Sequence, residues 1–189
     1  MRIAEGIIIG MLLLIPVFVG ADDLSYRYPI ADSYAATILG TPKGLKPDLP
    51  RDVPVKTMVL EMDLKKPEIF FYDHGLRYTT AFQSKKAPLI FLIAGTGGGS
   101  KSPKVLALME NLYHAGFHVI ALPSPTFPNF IIDASTSHVP GNLTDDAEDL
   151  YRVMEQIWNV SRKQIEVSHF LLAGYSLGGT EAEIGRAHV

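Results

Sequence analysis

Cysteine is missing from all 189 residues of the chain. Its absence excludes disulfide bridges, a thiol nucleophile and metal sites built on thiolates. The chain also has no large excess of charge of either sign, because 17 basic and 20 acidic side chains leave a net charge of only -3. This balance argues against nucleic acid or another polyanion as the main partner. A hydrophobic fraction of 47% predicts a globular rather than a disordered chain.

The first 21 residues have the layout of a secretory signal peptide. The basic Arg2 precedes a nearly continuous apolar stretch from Ile7 to Gly20, and Val19, Gly20 and Ala21 form a small-residue cleavage site. A membrane anchor is the alternative, but the apolar stretch is shorter than the roughly 20 residues that span a bilayer. We therefore predict cleavage after Ala21, a periplasmic or secreted location, and no stable membrane span after cleavage.

The last residues of the chain match the translation of a common sequencing adapter. In one reading frame that adapter encodes Ile-Gly-Arg-Ala-His-Val before a stop codon, and these six residues close the sequence after Glu183. We therefore predict that residues 183–189 are not native, and we exclude them from reasoning about the fold. The alternative is a genuine short C-terminus.

Two kinds of segment follow the predicted signal peptide. Residues 22–54 are rich in proline and glycine and predict an extended N-terminal arm, with one short helix near residues 31–39. Three strands are predicted next, at 56–63, 68–72 and 76–82. Antiparallel strands of this kind commonly begin a sheet that later becomes parallel.

Strands and helices alternate in the rest of the chain. Continuous apolar runs are typical of buried strands, and amphipathic stretches are typical of helices. These patterns predict strands at 88–94, 118–122 and 170–173 and helices at 103–114 and 146–159. The order predicts right-handed βαβ units, a mostly parallel sheet flanked by helices, and hence the α/β fold class. The proline-rich stretch 123–141 is a candidate lining for a substrate pocket.

The last of these strands leads into Gly174-Tyr175-Ser176-Leu177-Gly178-Gly179, which fits the pattern G-x-S-x-G. A serine nucleophile has to project from a tight strand-to-helix turn, and glycines two positions before and after it let strand and helix approach. The helix that follows points its N-terminal amides at the place where an oxyanion forms. The stretch resembles the nucleophile elbow of the α/β-hydrolase superfamily, and the resemblance covers about residues 54–180.

A second motif of the same superfamily is Gly95-Thr96-Gly97-Gly98-Gly99, after the predicted strand 88–94. In the superfamily, an amide of this loop and the amide of the residue after the nucleophile form the oxyanion hole. The resemblance therefore implies that the amide of Thr96 or Gly97 acts together with that of Leu177. Many members carry a histidine before the first glycine. This chain has Ala94 there, so the choice between Thr96 and Gly97 stays open.

The resemblance implies a serine hydrolase that cleaves an ester, thioester or amide bond through an acyl-enzyme on Ser176. Its substrate would be a small-molecule, lipid or peptide acyl compound, and no cofactor or metal is implied. In this superfamily the orienting acid and the histidine base both follow the elbow. The histidines at 74, 114, 118, 138 and 169 precede Ser176 and are expected to make surface or strand-end contacts. Glu181 and Glu183 are expected on the first turns of the next helix, too close in sequence to be the acid.

The triad is therefore expected to be incomplete in this chain. We predict that residues 55–182 are the N-terminal part of an α/β-hydrolase domain, truncated after the elbow. On this interpretation the strand 170–173 is left as an open apolar edge, and residues 22–182 expressed alone are inactive and mostly insoluble.

Two other functions stay open. If no acid and histidine follow the elbow, the fold would act as a non-catalytic binding module. The stretch Gly95–Ser102 also approaches the phosphate-binding pattern G-x-x-x-x-G-K-[ST], with Lys101 and Ser102 in place. Ser100 replaces its second glycine, where close approach of the phosphate leaves no room for a side chain. Phe130–Asp133 is the candidate acidic strand of such a nucleotide site.

Overall fold

The computed structural model describes residues 30–40, 52–66 and 68–185 of the chain. The chain divides into two compact units, Met1–Pro47 and Asp48–Val189, which are described separately. The predicted signal peptide, residues 1–21, lies outside the described residues, as do residues 186–189 of the predicted non-native tail. None of the described helices combines the length and the hydropathy that a membrane span requires.

The first unit contains one described helix, α1 (Ser33–Leu39). Asp32 caps it by accepting a hydrogen bond from the amide of Ala35 at 2.7 Å. Aspartate is favoured at this position because its carboxylate satisfies an amide that the first helical turn leaves without a partner. The prediction of a short helix near residues 31–39 is confirmed.

The second unit is built on a five-stranded sheet in the order β1-β2-β4-β3-β5. Its strands are β1 (Lys56–Leu60), β2 (Leu76–Ala81), β3 (Ala87–Ile93), β4 (His118–Leu122) and β5 (Val167–Gly174). β2 pairs antiparallel with both of its neighbours, whereas β3 pairs in parallel with β4 and with β5. The sheet therefore begins antiparallel and becomes parallel, as predicted.

Helices cover both faces of this sheet. They are α2 (Pro103–His114), α3 (Pro128–Asp133), α4 (Leu143–Ser161) and α5 (Leu177–Gly185). Val105 and Met109 of α2 pack with Leu92 of β3 on one face, and α3 and α4 pack with Phe91 on the other. Successive side chains of a strand point to opposite faces, so the apolar run of β3 supplies both cores at once. The predicted α/β class, with a mostly parallel sheet flanked by helices, is confirmed.

The predicted strand at 68–72 is wrong. Glu68–Phe70 forms a single turn of 3-10 helix, in which the amide of Phe71 donates to the carbonyl of Glu68 at 3.1 Å. The amide of Asp73 likewise donates to the carbonyl of Phe70 at 3.0 Å. Aromatic residues favour strands, but a strand needs a neighbour to pair with, and these local bonds occupy the backbone instead. Phe71 is exposed as a result.

Two other strand predictions need correction. The strand predicted at 56–63 ends at Leu60, because its partner β2 begins at Leu76, directly opposite Leu60. The strand predicted at 170–173 is longer, spanning Val167–Gly174, and it is not buried on both faces. β5 is the last strand of the sheet order, and Phe170 and Leu171 are exposed.

Candidate active site

Ser176 lies in the turn between β5 and α5 and is exposed to solvent. Its φ angle is 54°, a left-handed conformation that one other non-glycine residue, His138, adopts in the described part of the chain. This conformation strains an L-residue by about 1–2 kcal/mol, because Cβ crowds the carbonyl oxygen. Amides at the start of α5 hold the turn: Gly178 donates to the Tyr175 carbonyl at 3.1 Å, and Gly179 to the Ser176 carbonyl at 2.9 Å.

The glycines around Ser176 allow backbone to contact backbone. A β-carbon on Gly174 would overlap the carbonyl of Gly178, and one on Gly178 would lie 2.5 Å from the carbonyl oxygen of Ala94, just after β3. These carbonyls belong to the packed elements themselves and cannot swing away as a flexible side chain would. Hydrogen is therefore the only side chain that fits at either position, which explains the G-x-S-x-G spacing.

The second glycine motif lies against the serine. A β-carbon on Gly95 would lie 3.1 Å from the β-carbon of Ser176 and 2.8 Å from the ring of Tyr175. β3 and β5 run in parallel with Ile93 opposite Gly174, so their carboxyl ends meet at one edge of the sheet. The structure thus brings the predicted nucleophile and the predicted oxyanion loop together.

The three predicted oxyanion donors differ in their hydrogen bonds. The amide of Gly97 donates to Oγ1 of Thr126 at 2.7 Å. Within the described ranges, the amides of Thr96 and Leu177 donate to no protein acceptor. Thr96 is exposed, and Leu177 begins α5, where the first amides of a helix have no partner inside it. Two of the three amides are therefore available to a ligand oxygen, whereas that of Gly97 is engaged.

Ser124 and Thr126 hold the oxyanion loop in place, and the sequence pattern did not predict them. Thr126 Oγ1 accepts the Gly97 amide and lies 2.8 Å from Ser124 Oγ, while the Ser124 amide donates to the carbonyl of Gly98 at 2.9 Å. Both residues follow β4, the neighbour of β3. Because the carboxyl ends of neighbouring parallel strands meet, polar residues just after β4 were the one sequence signal for this contact.

Two of the described histidines, His118 and His138, make contacts with backbone groups. His118 is buried in β4, where Nδ1 accepts from the amide of Gln83 at 3.1 Å and Nε2 donates to the carbonyl of Glu166 at 3.1 Å. Burial lowers the pKa of His118, and the bond to Glu166 acts in the opposite direction. Its ring joins the residues next to two strand ends, Gln83 after β2 and Glu166 before β5. His138 Nδ1 lies 2.7 Å from the carbonyl of Ile131.

A cluster of charged and amide side chains, which the sequence did not predict, joins α3 to β2. Nη2 of Arg77 lies 2.8 Å from Asp73 Oδ1, and Nζ of Lys66 lies 2.9 Å from Asp133 Oδ1. Asn129 donates from Nδ2 to both carboxylates, at 2.8 Å to Asp133 Oδ2 and at 3.3 Å to Asp73. Burial raises the pKa of Asp133, and the bond from Lys66 opposes that shift. Each buried carboxylate therefore has partners, as buried charges require.

The nucleotide-binding alternative loses one of its two motifs. Phe130–Asp133 lies within helix α3, so it is not the acidic strand that such a site needs. The hydroxyl of Ser100 is buried, accepts from Thr79 Oγ1 at 3.1 Å and donates to the carbonyl of Arg77 at 3.3 Å. The loop Gly95–Ser102 is thus attached to β2 through this serine.

Among the described residues, no three His, Asp or Glu side chains are placed to hold a metal ion.

Helix α5 carries a buried carboxyl group without a partner. Glu181 is 1% exposed, and neither of its oxygens has a hydrogen-bond partner in the described structure. Burial, and to a smaller extent the charge of Asp146 on α4, raises the pKa of Glu181 to about 7. Asp146 is buried as well and accepts from the amide of Gly141 at 2.8 Å. The sequence predicted Glu181 to lie in the first turns of α5 but not that it is buried.

No protein-family model and no curated protein matches the chain. Solved structures do resemble it. Est1E from Butyrivibrio proteoclasticus is 18% identical, with a TM-score of 0.46, over 70% of this chain and 45% of that one. TT1662 from Thermus thermophilus is 21% identical, with a TM-score of 0.44, over 71% of this chain and 52% of that one.

A CE15 glucuronoyl esterase from Teredinibacter turnerae is also similar, at 14% identity and a TM-score of 0.43, over 73% of this chain and 43% of that one. The chain spans about half the length of these solved structures. Identities and TM-scores this low transfer no activity, so the function has to follow from the geometry of the chain itself.

Proposed function

We propose that the chain carries the nucleophile and oxyanion loop of a serine hydrolase of the α/β-hydrolase type, which cleaves an ester, thioester or amide bond through an acyl-enzyme. The observation that carries the proposal is the conformation of Ser176, a non-glycine residue held at φ 54° in an exposed turn. Glycine would occupy this position without strain. A strained serine, supported by close packing at Gly174 and Gly178, is the arrangement expected where the hydroxyl itself is used.

In the proposed reaction, Oγ of Ser176 attacks the acyl carbonyl carbon, and the carbonyl π electrons move to the oxygen. The amides of Thr96 and Leu177 bind that oxyanion, and the N-terminus of α5 adds its partial positive charge. The free amides support Thr96 over Gly97, because the Gly97 amide is already bound to Thr126.

The serine proton passes to a histidine base, which the superfamily places after the elbow. Collapse of the tetrahedral intermediate expels the alcohol, thiol or amine with that proton and leaves the acyl-serine. Water then attacks the acyl carbon and releases the acid. The non-catalytic alternative is less well supported, because a binding module needs neither a strained serine nor unengaged amides beside it.

A fluorophosphonate probe, which reacts with activated serines, tests this proposal on the full-length protein, in which the acid and the histidine base are expected to follow the elbow. We expect one labelled site, complete loss of labelling in Ser176→Ala, and unchanged labelling in Ser168→Ala, which alters an exposed serine on β5. Hydrolysis of 4-nitrophenyl butyrate by the same three proteins should follow the labelling. Labelling that survives Ser176→Ala, or no labelling of a correctly folded protein, would sink the nucleophile assignment.

A further inference from the structure

A cavity of about 450 Å³ opens beside the oxyanion loop. Gly97, Gly98 and Gly99 line it together with the apolar ring of Phe127, which lies against Gly99: a β-carbon there would lie 3.0 Å from the Phe127 ring. The same glycine loop reaches Ser176 through Gly95. The cavity is therefore placed to hold the part of a substrate next to the reacting carbonyl.

The charges that line this cavity have one sign. Arg77 and Lys101 contribute to its lining, and none of the described residues that line it is acidic. This contrasts with the whole chain, whose net charge is -3. Two cationic residues in a lining that contains no acidic residue attract an anion and disfavour a cationic ligand.

Arg77 is held in position by groups outside the cavity. Its backbone amide donates to Asn129 Oδ1 at 2.8 Å, its carbonyl accepts from Ser100 at 3.3 Å, and Nη2 pairs with Asp73. That ion pair uses one of the five N–H donors of a guanidinium group, and the side chain is 54% exposed. Asp73 therefore orients the guanidinium and leaves the remaining donors for a ligand, in the planar array that suits a carboxylate or phosphate.

The other end of the loop adds two groups. Lys101 is exposed and donates no hydrogen bond within the described part of the chain. Ser102 also lines the cavity, and its buried hydroxyl has no hydrogen-bond partner among the described residues. Ser102 precedes Pro103, the first residue of α2, so the positive N-terminal end of that helix lies beside the cavity.

We propose that this cavity binds an anionic group, a carboxylate or a phosphate, on the substrate of the hydrolase, through Arg77, Lys101 and Ser102. The inference rests on the proposed function for its location beside the reacting carbonyl. The substrate is then an ester that carries a negative charge a few bonds from the scissile bond. The carbon chain of this ester lies against Phe127.

Binding to the Ser176→Ala protein tests the anion site without catalysis. The two matched probes are monomethyl adipate, which carries a carboxylate, and methyl hexanoate, which has the same chain length and no charge. We expect about tenfold tighter binding of monomethyl adipate by calorimetric or NMR titration, since charge-assisted hydrogen bonds are the stronger kind. Equal binding of the two esters would overturn the inference.

Variants of the two cations locate the site. Lys101→Gln and Arg77→Gln should each remove most of the preference for monomethyl adipate, and Arg77→Lys, which keeps the ion pair with Asp73, should remove part of it. Lys85→Gln changes an exposed lysine between β2 and β3 and should leave the preference intact. A preference that is undiminished in both Lys101→Gln and Arg77→Lys would contradict the assignment.

Competition distinguishes the two anions, because adipate displaces the monoester at a carboxylate site and inorganic phosphate displaces it at a phosphate site. Fluorophosphonate labelling of the Ser176 protein separates this inference from the proposed function. Labelling without an anion preference would support the hydrolase proposal and contradict the anion site. An anion preference without labelling would support the anion site and contradict the assignment of Ser176 as the nucleophile.

Discussion

Strands β3 and β5 are neighbours, run in parallel and are both largely apolar, yet they differ in exposure. Residues Leu89 to Ile93 of β3 are at most 4% exposed, whereas Phe170 and Leu171 of β5 are 50% and 37% exposed. β3 has a strand on each side, and β5 has one partner in the described sheet. An apolar run therefore predicts a strand, but the order of strands in the sheet decides whether that strand is buried.

At their carboxyl ends, the two strands are joined by one close backbone contact despite their difference in exposure. Gly178, just after β5, packs against the carbonyls of Ile93 and Ala94, at the end of β3. The turn that presents Ser176 thus rests on the end of a buried strand, although it leaves from a partly exposed one. A reactive serine needs such support, because a strained turn persists only where its surroundings impose it.

The largest expected effect comes from filling this contact. Gly178→Ala would force a β-carbon to within 2.5 Å of the Ala94 carbonyl oxygen, so we expect a loss of at least about 4 kcal/mol in the free energy of unfolding. Gly97→Ala is the matched control, because nothing lies within 4 Å of its β-carbon and only its φ of 65° is unfavourable. That change should cost about 1 kcal/mol.

Urea denaturation of both glycine variants measures the difference. Similar losses for the two would mean that the turn after β5 does not rest on β3.

The second prediction compares the loss of one phenylalanine ring from each of the two strands. Phe91→Ala, in the buried β3, should lower the free energy of unfolding by about 4 kcal/mol, since it removes a fully packed ring. Phe170→Ala, in β5, should lower it by about 1–2 kcal/mol, because that ring is half exposed and packs edge-on against Trp158 at 4.9 Å. Thermal and urea unfolding check the ratio, and equal losses would show that β5 is covered in solution.

The third prediction concerns Glu181, in the helix that follows β5. Its pKa is raised from 4.5 to about 7, so between these values the unfolded chain loses a proton that the folded chain keeps. The free energy of unfolding therefore falls as the pH rises from about 4.5 to 7, and the full penalty, about 3 kcal/mol, is present above pH 7. Glu181→Gln should remove this dependence and stabilise the protein at pH 8, with little change at pH 4.

Glu148→Gln, which changes an exposed carboxyl on α4, is the control for the pH series. A pH profile of Glu181→Gln that parallels the parent protein would show that this carboxyl does not titrate across the range.

Most elements could be predicted because their signals are local. The helix predicted at 103–114 matches α2 residue for residue, since proline favours the first turn and the apolar positions recur at helical spacing. The strand predicted at 68–72 failed because aromatic content measures only propensity, and pairing depends on a partner elsewhere in the chain.

The candidate site was predictable only in part, for the same reason. Gly95 and Ser176 were identified from separate motifs, and their contact follows from parallel pairing of β3 with β5. The bond from the Gly97 amide to Thr126 was not predicted, because its one sequence signal was the presence of polar residues just after β4.

The sequence by itself determined the alternation of strands and helices and the glycine spacing around Ser176, because both depend on neighbouring residues and on local sterics. It also supplied the two cationic side chains, Arg77 and Lys101. The tertiary structure alone decided which amides stay free, that Glu181 is buried without a partner and that the two cations line one cavity. These features depend on contacts between residues far apart in the chain, which packing and strand order establish and no local pattern contains.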